Sequence, residues 1–297
     1  MLGRFGRDAG SLLGVEIASG SIRMLHLHRQ RGGWRVQGWA QERFEPALPG
    51  CAVSDEAEGL VMGLRRAHVQ CRTRQFRVAL ALPASQVICK VCRLPAGLAE
   101  LEVEAAVLAQ AEQLFPFPLE DLALDFWVQG ACADDAGQCE VLVAACRQSQ
   151  LDPLERVFSR AGLQLEAVEV DSFALRRALL PEVPARGAVL LQLELGEVVM
   201  HRWHGSLAPQ RQRLALGLPA QWSEAVDDLW RLGEQAPVEE VVLFGCAADE
   251  DRAAHLRERL GVKCQVGCPC PLAGLVKRDG LRASMVLACG LAMGGRA

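Results

Sequence analysis

The stretch LLGVEIASGSIRMLHLH at Leu12–His28 predicts two short strands joined by a tight polar turn. Apolar and polar residues alternate on both sides of the turn, as they do in half-buried strands. The turn, Ala18–Ser21, consists of small residues whose backbone N–H groups can cradle a phosphate. Glu16 is placed to hold a magnesium ion, and Arg23 to offset charge. An ordinary buried hairpin fits the same spacing, and the spacing alone favours it.

The composition indicates a globular protein that works in the cytoplasm. With 297 residues, 51% of them hydrophobic, the chain can form one large or two ordinary domains, which excludes disordered and fibrous classes. A net charge of -4 gives no general attraction to nucleic acid or anionic lipid. No segment resembles a secretion signal, and the apolar run Ala283–Met293 is too short to span a bilayer. We therefore expect no nucleic-acid partner, no direct membrane insertion, and membrane association only through a partner.

Further hydrophobic patterns predict alternating strands and helices in the first half of the chain. The helix Asp55–His68 should bury Leu60, Met62, Leu64 and Ala67. The remaining predicted elements are strands at Trp34–Phe44, Arg77–Pro83, Val87–Leu94, Ala123–Gln129, Cys139–Ala145 and Leu163–Val170, and helices at Leu98–Leu114, Leu151–Ala161 and Ser172–Leu180, the last capped by Asp171.

The stretch Gly187–Trp203 resembles the first hairpin in order and length, which indicates an internal duplication. After it the pattern predicts helices at Gln221–Leu232, Asp249–Leu260 and Arg282–Met293, and strands at Glu240–Phe244 and Val262–Val266. Together these elements form mixed α/β layers and not a doubly wound sheet.

Four segments of the chain carry a resemblance to a known family. They are GVEIASGSIRMLHL at Gly14–Leu27, FPFPLEDLALDFWVQG at Phe115–Gly130, VLVAACRQSQLDPLERVFSRAGLQLEAVEVDSFALRRAL at Val141–Leu179 and VVLFGCA at Val241–Ala247. The chain resembles the actin-like ATPase superfamily and, within it, the PilM family of type IV pilus assembly proteins, which are related to FtsA. The resemblance covers nearly the whole chain.

The resemblance implies an α/β fold of mixed sheets, the ribonuclease H-like, two-lobed actin-like fold. The first lobe would comprise residues 1–84 and 159–182, with a small α/β subdomain inserted at 85–158. Residues 183–297 would form the second lobe, with its outer subdomain reduced because the chain leaves little room for it.

The resemblance also implies a function at the cytoplasmic side of the inner membrane. PilM-like proteins bind the N-terminal peptide of the membrane protein PilN in a groove between the first lobe and the inserted subdomain. Cytoplasmic pilus ATPases are further implied partners. Phe115, Phe117 and Leu119 are the residues we expect at this groove, although core positions in the inserted subdomain also fit the two phenylalanines.

PilM-like proteins bind ATP between the lobes, and the resemblance places a nucleotide site accordingly. Glu16, Ser19, Gly20, Ser21 and Arg23 match the first phosphate hairpin of the family. Gly245 matches the strand end on the adenosine side.

Departures from the family pattern predict weak or absent ATP binding. We assign Leu191 and Leu193 to the positions of an Asp-x-Gly pattern in the second hairpin, and leucine can neither hold magnesium nor allow close phosphate approach. Ala18 replaces a usual glycine, and Gly245-Cys246 replaces a glycine pair. We therefore expect a non-catalytic adaptor without a cofactor, Mg-ATP being implied only by the resemblance. The alternative is a sugar-kinase-like phosphotransferase.

Other candidate sites are weaker. The chain has no GxSxG, GxxxxGK[ST], GxGxxG or HExxH motif, so no catalytic residue is assigned. Cys89 and Cys92 should point to opposite faces of a strand, which excludes a shared metal. A zinc site formed by Cys246, Cys264, Cys268 and Cys270 is left open as a minority alternative.

Overall fold

The computed structural model describes residues 12–18, 20–30, 33–44, 53–132, 134–179, 187–203, 209–232, 238–269 and 281–294. The predictions for Ser19 and Cys270 lie outside these residues. Three sheets organise the described chain, two of five strands and one of three.

The first sheet contains the opening hairpin and has the strand order β3-β2-β1-β4-β8. Its strands are β1 (Leu13–Ala18), β2 (Ser21–Gln30), β3 (Gly33–Arg43), β4 (Arg77–Leu82) and β8 (Gln164–Val170). The first three strands are antiparallel, whereas β4 and β8 run parallel to β1. Helices α1 (Val53–Cys71) and α3 (Gln148–Ala161) cover one face, where Leu13, Val15, Leu64 and Phe158 share a buried core.

The second sheet repeats the topology of the first, with the order β11-β10-β9-β12-β13. Its strands are β9 (Ala188–Leu193), β10 (Glu197–Trp203), β11 (Pro209–Ala215), β12 (Glu240–Phe244) and β13 (Lys263–Val266). Again an antiparallel meander is followed by two parallel strands. The predicted duplication is therefore confirmed. Helices α5 (Trp222–Leu232) and α6 (Glu250–Leu260) cover its outer face.

The third sheet forms the inserted unit, with the order β5-β7-β6. Its strands are β5 (Ile88–Pro95), β6 (Leu122–Ala131) and β7 (Gln138–Arg147), all antiparallel. Helix α2 (Glu100–Leu114) covers one face and ends before Phe115, whose extended backbone precedes Pro116. Val103, Val107 and Val141 are buried between helix and sheet.

Two helices fill the space between the five-stranded sheets. Helix α4 (Asp171–Leu179) and helix α8 (Val286–Ala292), which follows α7 (Leu281–Ser284), pack against each other. Helix α8 also packs against β1, and α4 against β4 and β8. A Cβ atom on Gly290 would lie 2.0 Å from the Ala174 carbonyl oxygen, so the close approach of α4 and α8 requires glycine there. One buried cluster includes Leu12, which precedes β1, and Ala79 of β4 together with Leu190 and Val242 of the second sheet. The two lobes therefore share a core.

Some local predictions were wrong, and the reasons are physical. The sequence interpretation contained no strand at 209–215, because β11 is an edge strand with the polar run Gln210–Arg213 and lacks a buried apolar stripe. In α1, Leu64 and Ala67 are buried and Leu60 is partly buried as predicted, whereas Met62 is 41% exposed and Val61 is buried in its place. The last predicted helix is divided into α7 and α8.

The predicted boundary at residue 158 lies within α3, whose Val157 and Phe158 pack in the core of the first sheet. Helix α8 likewise packs on β1 and β2, although it follows the second sheet in the chain. The division into 1–84 plus 159–182, 85–158 and 183–297 stays a prediction. Among the described residues, no helix combines the length and apolar character needed to cross a membrane.

Candidate functional site between the two hairpins

The two related hairpins meet through one buried arginine. Arg23 on β2 faces Glu16, its cross-strand partner on β1, and Glu194, which directly follows β9. Its Nη1 donates to Glu16 Oε1 at 3.0 Å and to Glu194 Oε1 at 2.9 Å, and its Nη2 donates to Glu194 Oε2 at 2.7 Å. Arg23 is 1% exposed, Glu16 4% and Glu194 8%. We call these three residues the hairpin cluster.

The second hairpin presents different residues from those the sequence interpretation assigned. Leu191 and Leu193 point into the core of the second sheet, so their prediction as cleft residues was wrong. Because successive strand residues alternate between faces, Gln192 and Glu194 face the first hairpin instead. Gln192 Nε2 donates to Glu194 Oε1 at 3.2 Å and lies 3.5 Å from Glu16 Oε1. A shift of one position in assigning the family pattern accounts for the error.

The pKa values of the two acids in the hairpin cluster are shifted in opposite directions. Burial raises the pKa of Glu16 to about 7, against the opposing effect of Arg23. Burial also works to raise the pKa of Glu194, but the hydrogen bonds and charge of Arg23 hold it below its ordinary value. Burial works to lower the pKa of Arg23, and the two carboxylates raise it above its ordinary value. Arg23 and Glu194 are therefore a firm ion pair.

The polypeptide itself occupies the donors that a nucleotide would need near Gly245. The Gly245 amide donates to the Ala283 carbonyl at 2.9 Å, and the Ala247 amide donates to the Leu193 carbonyl at 3.0 Å. Gly245 has φ +106°, and a Cβ there would lie 2.3 Å from the Leu193 carbonyl oxygen. This glycine thus serves the packing of β12 against the second hairpin. Next to it, burial raises the pKa of the Cys246 thiol to about 11, with the adjacent Glu194 adding to the shift.

These residues do not fit a Mg-ATP phosphate group. The guanidinium that could attract a polyphosphate is already bidentate to Glu194, whose carboxylate would repel the phosphates, as would Glu16 when it is ionised. Of the predicted nucleotide residues, the structure brings Glu16 and Arg23 together. Gly20 and Ser21 lie at the adjoining turn, where the Phe44 amide donates to the Gly20 carbonyl at 3.1 Å.

A second polar contact between the lobes was not found from the sequence. Asp171, predicted only as a helix cap, accepts hydrogen bonds from the Ala84 amide at 2.9 Å and the Ser172 amide at 2.6 Å. Its Oδ2 also pairs with Arg211 Nε of β11 at 2.9 Å. Ser172 Oγ lies 2.8 Å from Nδ1 of His201, which is fully buried. No spacing signals this contact, because it joins elements from both lobes.

The comparisons with known proteins agree with this geometry. A family model described as type IV pilus assembly protein PilM matches residues 14–196. The chain belongs to the PilM family. The match spans the first hairpin, the inserted sheet and the second hairpin as far as its turn.

Solved structures similar to this PilM-family chain show that its fold is the predicted actin-like one. A PilM-PilN type IV pilus biogenesis complex aligns with a TM-score of 0.69 at 21% identity, over 95% of this chain and 98% of that chain. A glycerol dehydratase reactivase aligns with a TM-score of 0.52 at 10% identity, over 95% and 99%. The ethanolamine utilization protein EutJ from Carboxydothermus hydrogenoformans aligns with a TM-score of 0.51 at 13% identity, over 96% of this chain and 89% of that chain.

In this PilM-family chain, the three predicted groove residues differ in exposure. Phe115 is 3% exposed in the core of the inserted unit, which leaves it no surface for a partner. Phe117 is partly buried against the same core, with the Arg147 guanidinium 5.0 Å from its ring centre. Leu119 is 47% exposed. The sequence could not separate these three, because the prolines between them obscure any periodicity.

The inserted sheet also has a face that α2 does not cover. Val91 on β5 and Trp127 on β6 flank Leu142 of β7 on this face, and they are 40% and 50% exposed. Along β7 the same face continues through Ala144 to Cys146, which is buried at the junction with the first sheet. We call Val91, Trp127 and Leu142 the open apolar row. Sequence reasoning missed it, although the alternation within β6 could have indicated it.

The cysteines of this chain were weighed as metal ligands. Cys92 lies in the core of the inserted unit and Cys89 on the opposite face, which confirms their predicted divergence. Cys264 is buried, with its thiol directed to the Val262 carbonyl, and Cys246 lies against Glu194. Within the described ranges, no three His, Cys, Asp or Glu side chains are grouped to hold a metal.

Proposed function

We propose that this chain is an adaptor of type IV pilus assembly that binds the N-terminal peptide of a PilN-like inner-membrane protein. The observation that carries the proposal is the PilM family match over residues 14–196, which includes the whole inserted sheet. The related solved complex contains PilM and PilN together. Such an adaptor would work in the cytoplasm, held at the inner membrane by its partner, and could contact cytoplasmic pilus ATPases.

The open apolar row supports a peptide site on the inserted unit. Trp127 and Val91 expose apolar surface that α2 leaves uncovered, and the row leads to the junction with the first sheet. A half-exposed tryptophan on a sheet face is a favourable anchor for an extended peptide, because it offers a large contact area with little conformational entropy to lose. Leu119 and Phe117 belong to the same unit and are candidates for the rim of the site.

The adaptor would act without bound ATP. The support is chemical: Arg23 is paired with Glu194, and Glu16 would place a second carboxylate beside a phosphate. The same arrangement disfavours the phosphotransferase alternative, which requires a phosphate site between the hairpins. The lost or weak nucleotide binding is compatible with an adaptor, whose task is contact and not chemistry.

A binding assay tests the proposal directly. The N-terminal peptide of a PilN-like protein from the same organism should bind the full chain in fluorescence anisotropy, whereas a scrambled peptide of the same composition should not. A folded chain that does not bind the peptide would contradict the adaptor function. Calorimetric titration with Mg-ATP in the same buffer should give no binding isotherm, and micromolar affinity would contradict the nucleotide-free part alone.

A further inference from the structure

The hairpin cluster holds more negative than positive charge. Arg23 supplies one positive charge, while Glu16 and Glu194 supply two negative charges if both are ionised. All three side chains are buried, so water does little to screen the excess. An unbalanced charge in such a place is costly, and proteins remove it by pairing or by taking up a proton.

The hydrogen bonds show which carboxylate is suited to hold a proton. Both oxygens of Glu194 accept from Arg23, so protonating Glu194 would sacrifice the bidentate pair. Glu16 accepts from Arg23 only through Oε1, and its buried Oε2 has no hydrogen-bond partner. A proton on Oε2 would neutralise the excess charge and leave every bond of Arg23 in place.

The other groups around the cluster do not supply the missing positive charge. Gln192 is neutral, and Cys246 keeps its proton near neutral pH because burial raises the pKa of its thiol. Asp171 adds negative potential at Glu16, although Arg211 is paired with it. Helix α8, packed against β1, has no charged residue at Val286–Ala292, and burial raises the pKa of its one thiol, Cys289, to about 12, so the thiol stays neutral.

We propose that Glu16 takes up one proton when the two lobes dock, so that the contact between the hairpins is strengthened by acidification near neutral pH. The raised pKa of Glu16, about 7, agrees with this geometry. The inference rests on the contact between Glu16, Arg23 and Glu194 and is independent of the adaptor function. It makes the joint between the lobes sensitive to a single proton.

The test is a pH series of unfolding measurements on the full chain and on Glu16→Gln. The folded state then binds one proton more than the unfolded state between the ordinary Glu pKa of 4.5 and about 7. The wild-type unfolding constant, divided by that of Glu16→Gln, should therefore rise with pH by up to about tenfold per unit and level off above pH 7. Glu166→Gln is the matched control, because Arg77 lowers the pKa of Glu166 and keeps it ionised throughout.

Infrared difference spectroscopy on the wild-type chain gives an independent measurement that requires no variant to fold. The carbonyl stretch of a protonated carboxylic acid should be present at about pH 6 and vanish above about pH 8, with its midpoint near the pKa of Glu16. The band should be missing from Glu16→Gln and retained in Glu166→Gln. A wild-type chain without the band, or a ratio of unfolding constants that does not change with pH, would overturn the proposal.

Discussion

Arg23 on the first hairpin is bidentate to Glu194 on the second, a residue 171 positions further along the chain. The pair joins β2 of the first sheet to the residue that follows β9, the central strand of the second sheet. Since Arg23 also bonds Glu16, a single side chain contacts the acidic residues of both hairpins. The lobes of this PilM-family chain are thus held together by residues of the chain itself.

Replacing Arg23 with methionine should destabilise the chain strongly. The change leaves Glu16 and Glu194 buried without a cation, for which we expect a loss of about 3 to 5 kcal/mol in the free energy of unfolding. Urea unfolding followed by circular dichroism measures it. Arg77→Met, which breaks the partly exposed pair with Glu166, should cost only about 0 to 1 kcal/mol.

Adding Glu16→Gln and Glu194→Gln to the Arg23→Met variant should recover part of the lost stability, because the buried charges disappear together. Equal unfolding free energies for the single and triple variants would show that lost packing, not charge, dominates.

His201 should make the chain sensitive to acid. Burial lowers its pKa to about 4, while the unfolded chain has the ordinary value of 6.5. Between these values the unfolded state binds more protons, so stability falls as pH drops, by up to about 1.4 kcal/mol per pH unit. His201→Gln keeps a hydrogen-bonding group for Ser172 and should flatten this decline in urea titrations at pH 4.5 to 6.5.

Two details decide the interpretation of that experiment. Glu16 contributes with the opposite sign in an overlapping range, so the effect of His201 is the difference between variant and wild type at each pH. Glu166→Gln is the control and should leave the profile unchanged, because Arg77 lowers the pKa of Glu166 below its ordinary value. A profile for His201→Gln that matches the wild type would refute the assignment.

Local patterns were sufficient to predict the layers of this fold. The alternation around Gly14 and the small turn at Ala18–Ser21 identify the first hairpin, and the similar length of Gly187–Trp203 identifies its copy. Each of these signals lies within about twenty residues. The edge strand β11 was not predicted, because its polar residues pair with only one neighbouring strand and bury little apolar surface.

The site was harder to predict than the fold, for a physical reason. Arg23 and Glu16 were singled out for a phosphate, yet their chemistry is decided by Glu194, which no local pattern connects to them. The sequence interpretation assigned the family pattern one residue too early in the second hairpin. It therefore placed Leu193 at the cleft, where the structure has Glu194. Which face of β9 meets the first lobe is settled by packing between lobes, and a single sequence carries no direct record of that.

Trp127 should dominate binding of the PilN-like peptide if the open apolar row is the site. Trp127→Ala removes the largest exposed side chain of the row. We expect the dissociation constant of the peptide, measured by fluorescence anisotropy, to rise about 30-fold. Leu101→Ala is the matched control, because Leu101 is 73% exposed on α2 of the same unit, away from the row. If both variants bind the peptide with the same affinity, the peptide binds outside the open apolar row.

Gly245 should tolerate substitution less well than other glycines with a similar backbone. Gly245→Ala combines a positive φ with a Cβ placed 2.3 Å from the Leu193 carbonyl oxygen, whereas Gly162, at φ +79°, has nothing within 4 Å. The backbone term alone costs about 1 to 2 kcal/mol and applies to both. The collision should add about 1 to 3 kcal/mol at Gly245 by displacing the second hairpin from β12. Thermal unfolding of the two alanine variants separates these contributions, and comparable losses would mean that β12 moves freely away from Leu193.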